Sequence, residues 1–66
     1  MNRLELLRYE RGLTRAEVSA ATEIPERTLR SLEAGEIRKP AAPAAKALAD
    51  CYGITVAELL GLDVAA

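Results

Sequence analysis

Residues 14–35, TRAEVSAATEIPERTLRSLEAG, constrain the fold of this chain more than any other stretch. Thr14 stands three residues before Glu17, the spacing at which a hydroxyl and a carboxylate cap one another's backbone amides at a helix start. Val18 and Ala21 follow as its apolar stripe. Thr22-Glu23-Ile24 breaks the period, with Ile24 as a hydrophobic plug. Pro25 suits the opening of a second helix, where its missing N–H costs nothing. Leu29 and Leu32 are spaced to face Ile24, Thr28 flanks that core, and Gly35 is a helix stop. The stretch predicts two short helices joined by a tight turn, with Glu26, Arg27, Arg30 and Ser31 on or near the outer face of the second.

The flanks read as helical support. Residues 2–11 form a first helix, with Asn2 and Glu5 as a capping box and Gly12 as its end. Leu4, Leu7 and Leu6 are assigned inward, and Arg3, Glu5, Arg8 and Glu10 to water. Tyr9 is open between core edge and surface, and Leu13 enters the core at the turn. EIRKPAAP, residues 36–43, is a loop anchored by Ile37, with Arg38 and Lys39 exposed. A fourth helix over about 43–51 carries Ala44, Ala47, Leu48 and Cys51 as its stripe, with Tyr52 near the exit and Gly53 as the stop. Ile54 is a second plug. Thr55 and Glu58 cap a fifth helix bearing Val56, Leu59 and Leu60, which Gly61 ends. No segment alternates with period two, so the expected class is all-α, five helices and no sheet. Residues 1–61 make one domain. Residues 62–66 are a tail whose apolar side chains have three uses open to them: fraying, covering the core or meeting a second subunit.

Composition narrows what such a domain can do. A chain of 66 residues buries only roughly 60% of its unfolded surface. It lacks Phe and Trp, so Leu, Ile, Val and Ala must fill the core. Half the residues are hydrophobic, which argues against disorder. With no histidine and one cysteine, Cys51, the chain offers no zinc ligand set and no internal disulfide. Cys51 reads as a small buried hydrophobe of a reducing compartment. No apolar run approaches the ~20 residues of a membrane span, and no signal peptide is apparent. Without a histidine, a nucleophile paired to a base or a phosphate-cradling loop, catalysis is not expected. No cofactor or metal is expected. The net charge is −1 and the pI about 5.3. Nucleic-acid binding therefore has to rest on local charge, not on the whole domain.

The ordered combination Arg11-Gly12-Leu13-Thr14, Leu29-x-x-Leu32-Glu33-x-Gly35 and Ala47-Leu48-Ala49 through Tyr52-Gly53-Ile54-Thr55 to Glu58-Leu59-Leu60 resembles the phage repressor and Cro-like, or XRE-type, helix-turn-helix family. Leu4, Leu7, Val18, Ile24, Thr28 and Lys39-Pro40 match as well, so the resemblance covers roughly residues 3–61. It implies a compact lambda-repressor-like domain whose third helix enters the major groove of double-stranded DNA. Glu26, Arg27 and Ser31 then face bases: Arg27 toward guanine, Ser31 at shorter range, and Glu26 toward cytosine N4 or merely solvated. Arg15, Thr28, Arg30, Arg38 and Lys39 fall at phosphate-contacting positions. Arg15 has a second reading as a solvated surface side chain. Glu33 matches an acidic position that forms an internal salt bridge, with Arg8 or Arg11 as partner here, or else is exposed. The implied protein is a sequence-specific transcriptional regulator, Cro- or repressor-like, of the cytoplasm of a bacterial or phage-infected cell. It binds a palindromic operator as a homodimer, in solution or only on DNA, through Tyr52, Leu60, Leu62 and Val64.

Three positions depart from the family pattern. Ser19 replaces an alanine where helices pack closely. Glu23 replaces the turn glycine, which implies either a left-handed glutamate or an altered turn. Pro25 replaces a Ser or Thr cap. The acidic pI, Glu26 and the apolar tail keep a second class open, a protein-binding adaptor or antitoxin-type module on the same fold.

Overall fold

A computed structural model of the chain describes residues 2–61. Five helices follow in order: α1 Arg3–Glu10, α2 Arg15–Thr22, α3 Glu26–Glu33, α4 Ala42–Tyr52 and α5 Val56–Leu60. No strand occurs among the described residues. The expected all-α, five-helix class holds.

The local signals act as their chemistry dictates. Thr14 Oγ1 accepts from Glu17 N at 3.1 Å, and Thr14 N donates to Glu17 Oε1 at 2.8 Å. Thr55 and Glu58 make the same reciprocal pair. At α1 only half the expected box forms. Asn2 Oδ1 accepts from Glu5 N, while Asn2 Nδ2 donates across the molecule to the Leu32 carbonyl at 2.6 Å. Pro25 is the N-cap residue of α3, standing where a Ser or Thr cap would, and α3 has no side-chain cap.

The core is Leu7, Val18, Ile24, Leu29, Leu32, Ala45, Leu48, Ala49, Tyr52 and Leu59, with Leu4, Leu13, Ala44, Cys51, Ile54 and Leu60 packed against it. Several expectations are corrected. Leu6 is 48% exposed and Ala21 also faces water. Ile37 does not bury as the loop anchor; Pro40 does. In α4 the inner face is Ala45, Leu48, Ala49 and Tyr52, about one residue's rotation from the expected stripe. Alanine on nearly every side leaves that phase undetermined, and the bulk of Tyr52 settles it. Tyr52 is 5% exposed, so it is a core residue and not part of a dimer surface.

Arg8 is the largest correction. Its charge assigns it to water, yet it is 5% exposed. Leu4, Leu7, Arg8 and Arg11 share one helical face by their i, i+3, i+4, i+7 spacing. The arginines on that face tie α1 to the rest of the chain. Arg11 Nε donates to the Tyr52 carbonyl at 2.8 Å, at the end of α4. Its guanidinium also stands 5.5 Å from the Tyr52 ring centroid. Arg3 Nε donates to the Glu58 carbonyl at 2.7 Å, in the last turn of α5. Cations at helix C-termini satisfy carbonyls that have no partner within the helix.

The turn between α2 and α3 is held by side chains. Ser19 Oγ donates to the Ile24 carbonyl. Thr22 Oγ1 donates to the Val18 carbonyl at 2.7 Å and accepts from Ile24 N. Glu23 adopts φ 63°, ψ 18°, and is the non-glycine residue with positive φ among the described residues. The left-handed conformation costs an L-residue about 1–2 kcal/mol. Glu23→Gly is therefore expected to stabilise the domain by about 0.5–1 kcal/mol, the gain being trimmed by glycine's larger unfolded-state entropy. In a domain this small that corresponds to a rise of roughly 2–8 °C in Tm, read by thermal melting followed by circular dichroism. A lower Tm would show that Glu23 contributes more than strain.

Candidate functional site

The site is the outer face of α3 with the loop that follows it. Leu29, Leu32 and Glu33 define the inward face of α3. At 100° per residue, Arg27 and Ser31 lie near the centre of the opposite face, one turn apart. Arg27 is exposed and Ser31 half-buried. Glu26 and Arg30 flank that line on one side, both exposed, and half-buried Thr28 flanks it on the other. The backbone beyond α3 folds over its end: Glu36 N and Ile37 N both donate to the Ser31 carbonyl. Gly35, at φ 82°, allows that reversal. It brings the exposed Arg38 and Lys39 out directly after the helix.

What anchors this face is a buried charge cluster behind it. Arg8 donates twice to Glu33, Nε to Oε2 at 2.7 Å and Nη2 to Oε1 at 3.0 Å. A third bond runs from Arg8 Nη1 to the Leu13 carbonyl, and the guanidinium lies 4.7 Å from the Tyr9 ring centroid. Glu33 is 6% exposed. Its internal pairing partner is Arg8, not Arg11. Arg15 joins the same carboxylate from α2, Nε to Oε1 at 2.9 Å, and approaches Glu5 at 3.7 Å. Two arginines and two carboxylates thereby connect α1, α2 and α3. No buried polar side-chain atom among the described residues lacks a partner.

Burial would push the Glu33 carboxyl up, but hydrogen bonds from Arg8 and Arg15, with their charge, outweigh it and hold the group below the usual carboxylate range. Glu17 and Glu58 are also lowered, by hydrogen bonds from their capping threonines. A carboxyl lowered by folding contributes stability that is complete above its unfolded value, near 4.5, and is lost as pH falls through the folded value. The urea midpoint is expected to be flat from neutral pH down to that value and to fall progressively below it. A midpoint that rises on acidification would contradict the cluster.

The cations divide cleanly by location. Arg8, Arg11, Arg15 and Lys46 stand in ion pairs, and Arg3 is bonded to a helix end. Of the nine Lys and Arg, the remaining ones are Arg27, Arg30, Arg38 and Lys39, and all lie on α3 and its loop. Among the described residues no carboxylate stands within ion-pair reach of them. Glu23, Glu26 and Glu36 are exposed nearby and dilute the positive potential. Arg15 differs from the other candidate phosphate contacts, because its Nε is committed to Glu33.

The family pattern offers Arg8 as one of two partners for Glu33, but sequence reasoning missed its burial, although its helical phase with Leu4 and Leu7 carried the signal, and missed the parts of Glu5 and Arg15. Of the residues read as a dimer surface, Tyr52 is buried, Leu60 is half-buried against the core, and Leu62 and Val64 lie outside the described residues. No group of metal-ligating side chains occurs among the described residues. No helix there is long and apolar enough to cross a membrane.

No curated protein and no solved structure matches the chain. The helix-turn-helix domain model matches residues 2–62, nearly the whole sequence, and the chain belongs to that family of XRE-like helix-turn-helix domains.

Proposed function

We propose that this domain binds double-stranded DNA in a sequence-dependent way and acts as a transcriptional regulator of the Cro and repressor type, with α3 in the major groove. The observation that carries the reading is that the cations with no partner among the described residues are confined to α3 and its loop, with Arg27 and Ser31 central on the outward face. An exposed Arg beside a short hydroxyl side chain suits base edges, since a guanidinium donates twice to guanine O6 and N7. Arg30, Arg38 and Lys39 suit the backbone on either side of the groove, and Thr28 a closer phosphate. Arg15 serves the fold first, its Nε bonded to Glu33 and its Nη2 3.7 Å from Glu5. One module reads few base pairs, so two copies occupy two half-sites of a palindromic operator as a homodimer. The setting is the nucleoid within the cytoplasm. The domain works as a binding module and not as an enzyme.

Titration of a fluorescent duplex pool over a salt series tests this. Affinity is expected to fall steeply with salt, by about 0.9 in log K per log salt for each phosphate contact. Replacing Arg38 and Lys39 together by alanine is expected to weaken all duplexes alike and reduce that slope by about 2. Absence of duplex binding at low salt would sink this reading in favour of a protein-binding adaptor.

A further inference from the structure

Leu4, Leu7 and Arg8 turn one face of α1 to the core, so at 100° per residue Leu6 and Tyr9 lie on either side of the midline of the opposite face. They are 48% and 54% exposed, two large hydrophobic side chains one turn apart in the open. The two edges of that face differ. On one edge Glu5 reaches Arg15 of α2 at 3.7 Å. On the other stand Arg3 and Glu10, both exposed, at opposite ends of the helix. Arg3 is bonded through Nε to the Glu58 carbonyl of α5 and has no carboxylate within ion-pair reach among the described residues. Glu10 has one loose neighbour there, Arg11 at 3.7 Å.

A cation at one end of an apolar face and an anion at the other are complementary to the same face turned end for end. Leu6 lies near the midpoint between Arg3 and Glu10. An antiparallel second copy therefore brings each Arg3 against the other copy's Glu10, sets the two Leu6 side chains together at the two-fold axis and lays each Tyr9 beside the opposing Leu6. A parallel copy would set like charges together. The two-fold axis of such a pair runs perpendicular to both helices, so each edge of α1 stays on the same side of the pair in both copies. The Glu5 edge leads to α2 and the Arg3 edge to α5. Both helix-turn-helix units then lie on one side of the pair.

We propose that the outward face of α1 is a contact between two copies of this chain, their α1 helices antiparallel, Leu6 and Tyr9 at its centre and Arg3 paired with Glu10 of the other copy at each end. An eight-residue helix offers far less than the roughly 800 Å² a side of a stable complex. Pairing is therefore weak in solution, with Kd on the order of 1 mM. It is felt where two copies are already held side by side, at an effective concentration of similar size. That last consequence, two copies joined on two half-sites, rests on the DNA-binding reading; the pairing itself does not.

A dilution series of the full chain without DNA, from about 2 mM to 0.05 mM so as to bracket that Kd, tests the pairing by methyl and aromatic NMR. The Leu6 and Tyr9 signals are expected to move with concentration, and Leu6→Ser is expected to abolish the movement. Arg3→Glu and Glu10→Arg each turn both cross-copy pairs repulsive and are each expected to weaken association by about three- to ten-fold. Glu10→Arg reverses the net charge of −1 without enlarging it, so general repulsion does not account for its loss. A chain carrying both substitutions has opposite charges facing again in the antiparallel pair and is expected to recover the association of the unaltered chain. Thermal melts serve as the folding control. Signals that stay fixed on dilution would overturn the proposal. So would shifts centred away from α1, or a doubly substituted chain that associates no better than the single ones. Titration of a fluorescent duplex pool forms the second arm. Leu6→Ser is expected to make the binding curve less steep while leaving α3 unaltered, and equal steepness would overturn the link to paired half-sites. If no duplex is bound while the dilution shifts persist, the DNA reading fails and the pairing stands.

Discussion

Glu33→Ala is expected to remove about half of the domain's stability or more, the largest loss of any single substitution in the charge cluster. The substitution removes the carboxylate that accepts two hydrogen bonds from Arg8 and one from Arg15. Arg8 is 5% exposed and cannot shed its charge, so it is left buried with only Glu5, at 4.0 Å, as a counter-charge. Breaking a buried pair by removing one partner costs about 3–5 kcal/mol. A domain of this length has only roughly 3–10 kcal/mol in total. Arg8→Ala is expected to be milder, because Arg15 still reaches Glu33. Arg15→Ala should cost least, about 1 kcal/mol, its side chain being one-third exposed and free to hydrate. Exchanging Arg8 and Glu33 together for Met and Leu should recover most of the loss, since an apolar pair of similar volume removes the desolvation penalty. Urea denaturation followed by circular dichroism measures the series. Equal effects of Glu33→Ala and Arg15→Ala would contradict the central place given to Glu33.

The second large effect is expected at Arg27. Arg27→Ala leaves the fold intact, because the side chain is exposed and makes no intramolecular bond that α3 depends on. It should lower affinity for the preferred duplex by about 10- to 100-fold, the worth of a bidentate guanine contact at 1–3 kcal/mol. Affinity for unrelated duplexes should fall much less, by the share of one phosphate-region cation. The sign of the difference matters more than its size. Arg38 and Lys39 are expected to shift all sequences together, whereas Arg27 narrows the gap between preferred and unrelated ones. Competition titration of Arg27→Ala against both duplex types, with thermal melts as the folding control, separates the two. A uniform loss at Arg27 would place it on the backbone.

Much of this was legible because it is local. The Thr14–Glu17 and Thr55–Glu58 caps depend on residues three apart, and the sequence spacing is enough to place them. Ile24, Leu29 and Leu32 are apolar at helical spacing around a turn, and they bury as that pattern requires. At Glu23 the sequence leaves a left-handed residue and an altered turn both open, and the structure takes the first. What failed was non-local or chemically ambiguous. The charge of Arg8 suggested water, while its helical phase pointed inward, and phase prevailed because Glu33 waits 25 residues away in the sequence. Nothing near Arg15 in sequence discloses that α1 and α3 bring Glu5 and Glu33 to it. The stripe of α4 was misplaced because alanine fits either face, and only Tyr52 distinguishes them. The hydrophobicity of Ile37 suggests an anchor, but Pro40 is the loop residue that buries. For the α3 surface, the spacing of Glu26, Arg27, Arg30 and Ser31 gave the outward face, and the structure adds which cations remain unspent.

Selection from a random duplex library, with the number of chains per bound duplex recorded, tests the central claim most directly. A two-fold symmetric consensus bound by two chains, with enrichment that Arg27→Ala removes and Arg38→Ala only weakens, is the predicted result. A folded chain that enriches no sequence over the starting pool would contradict it.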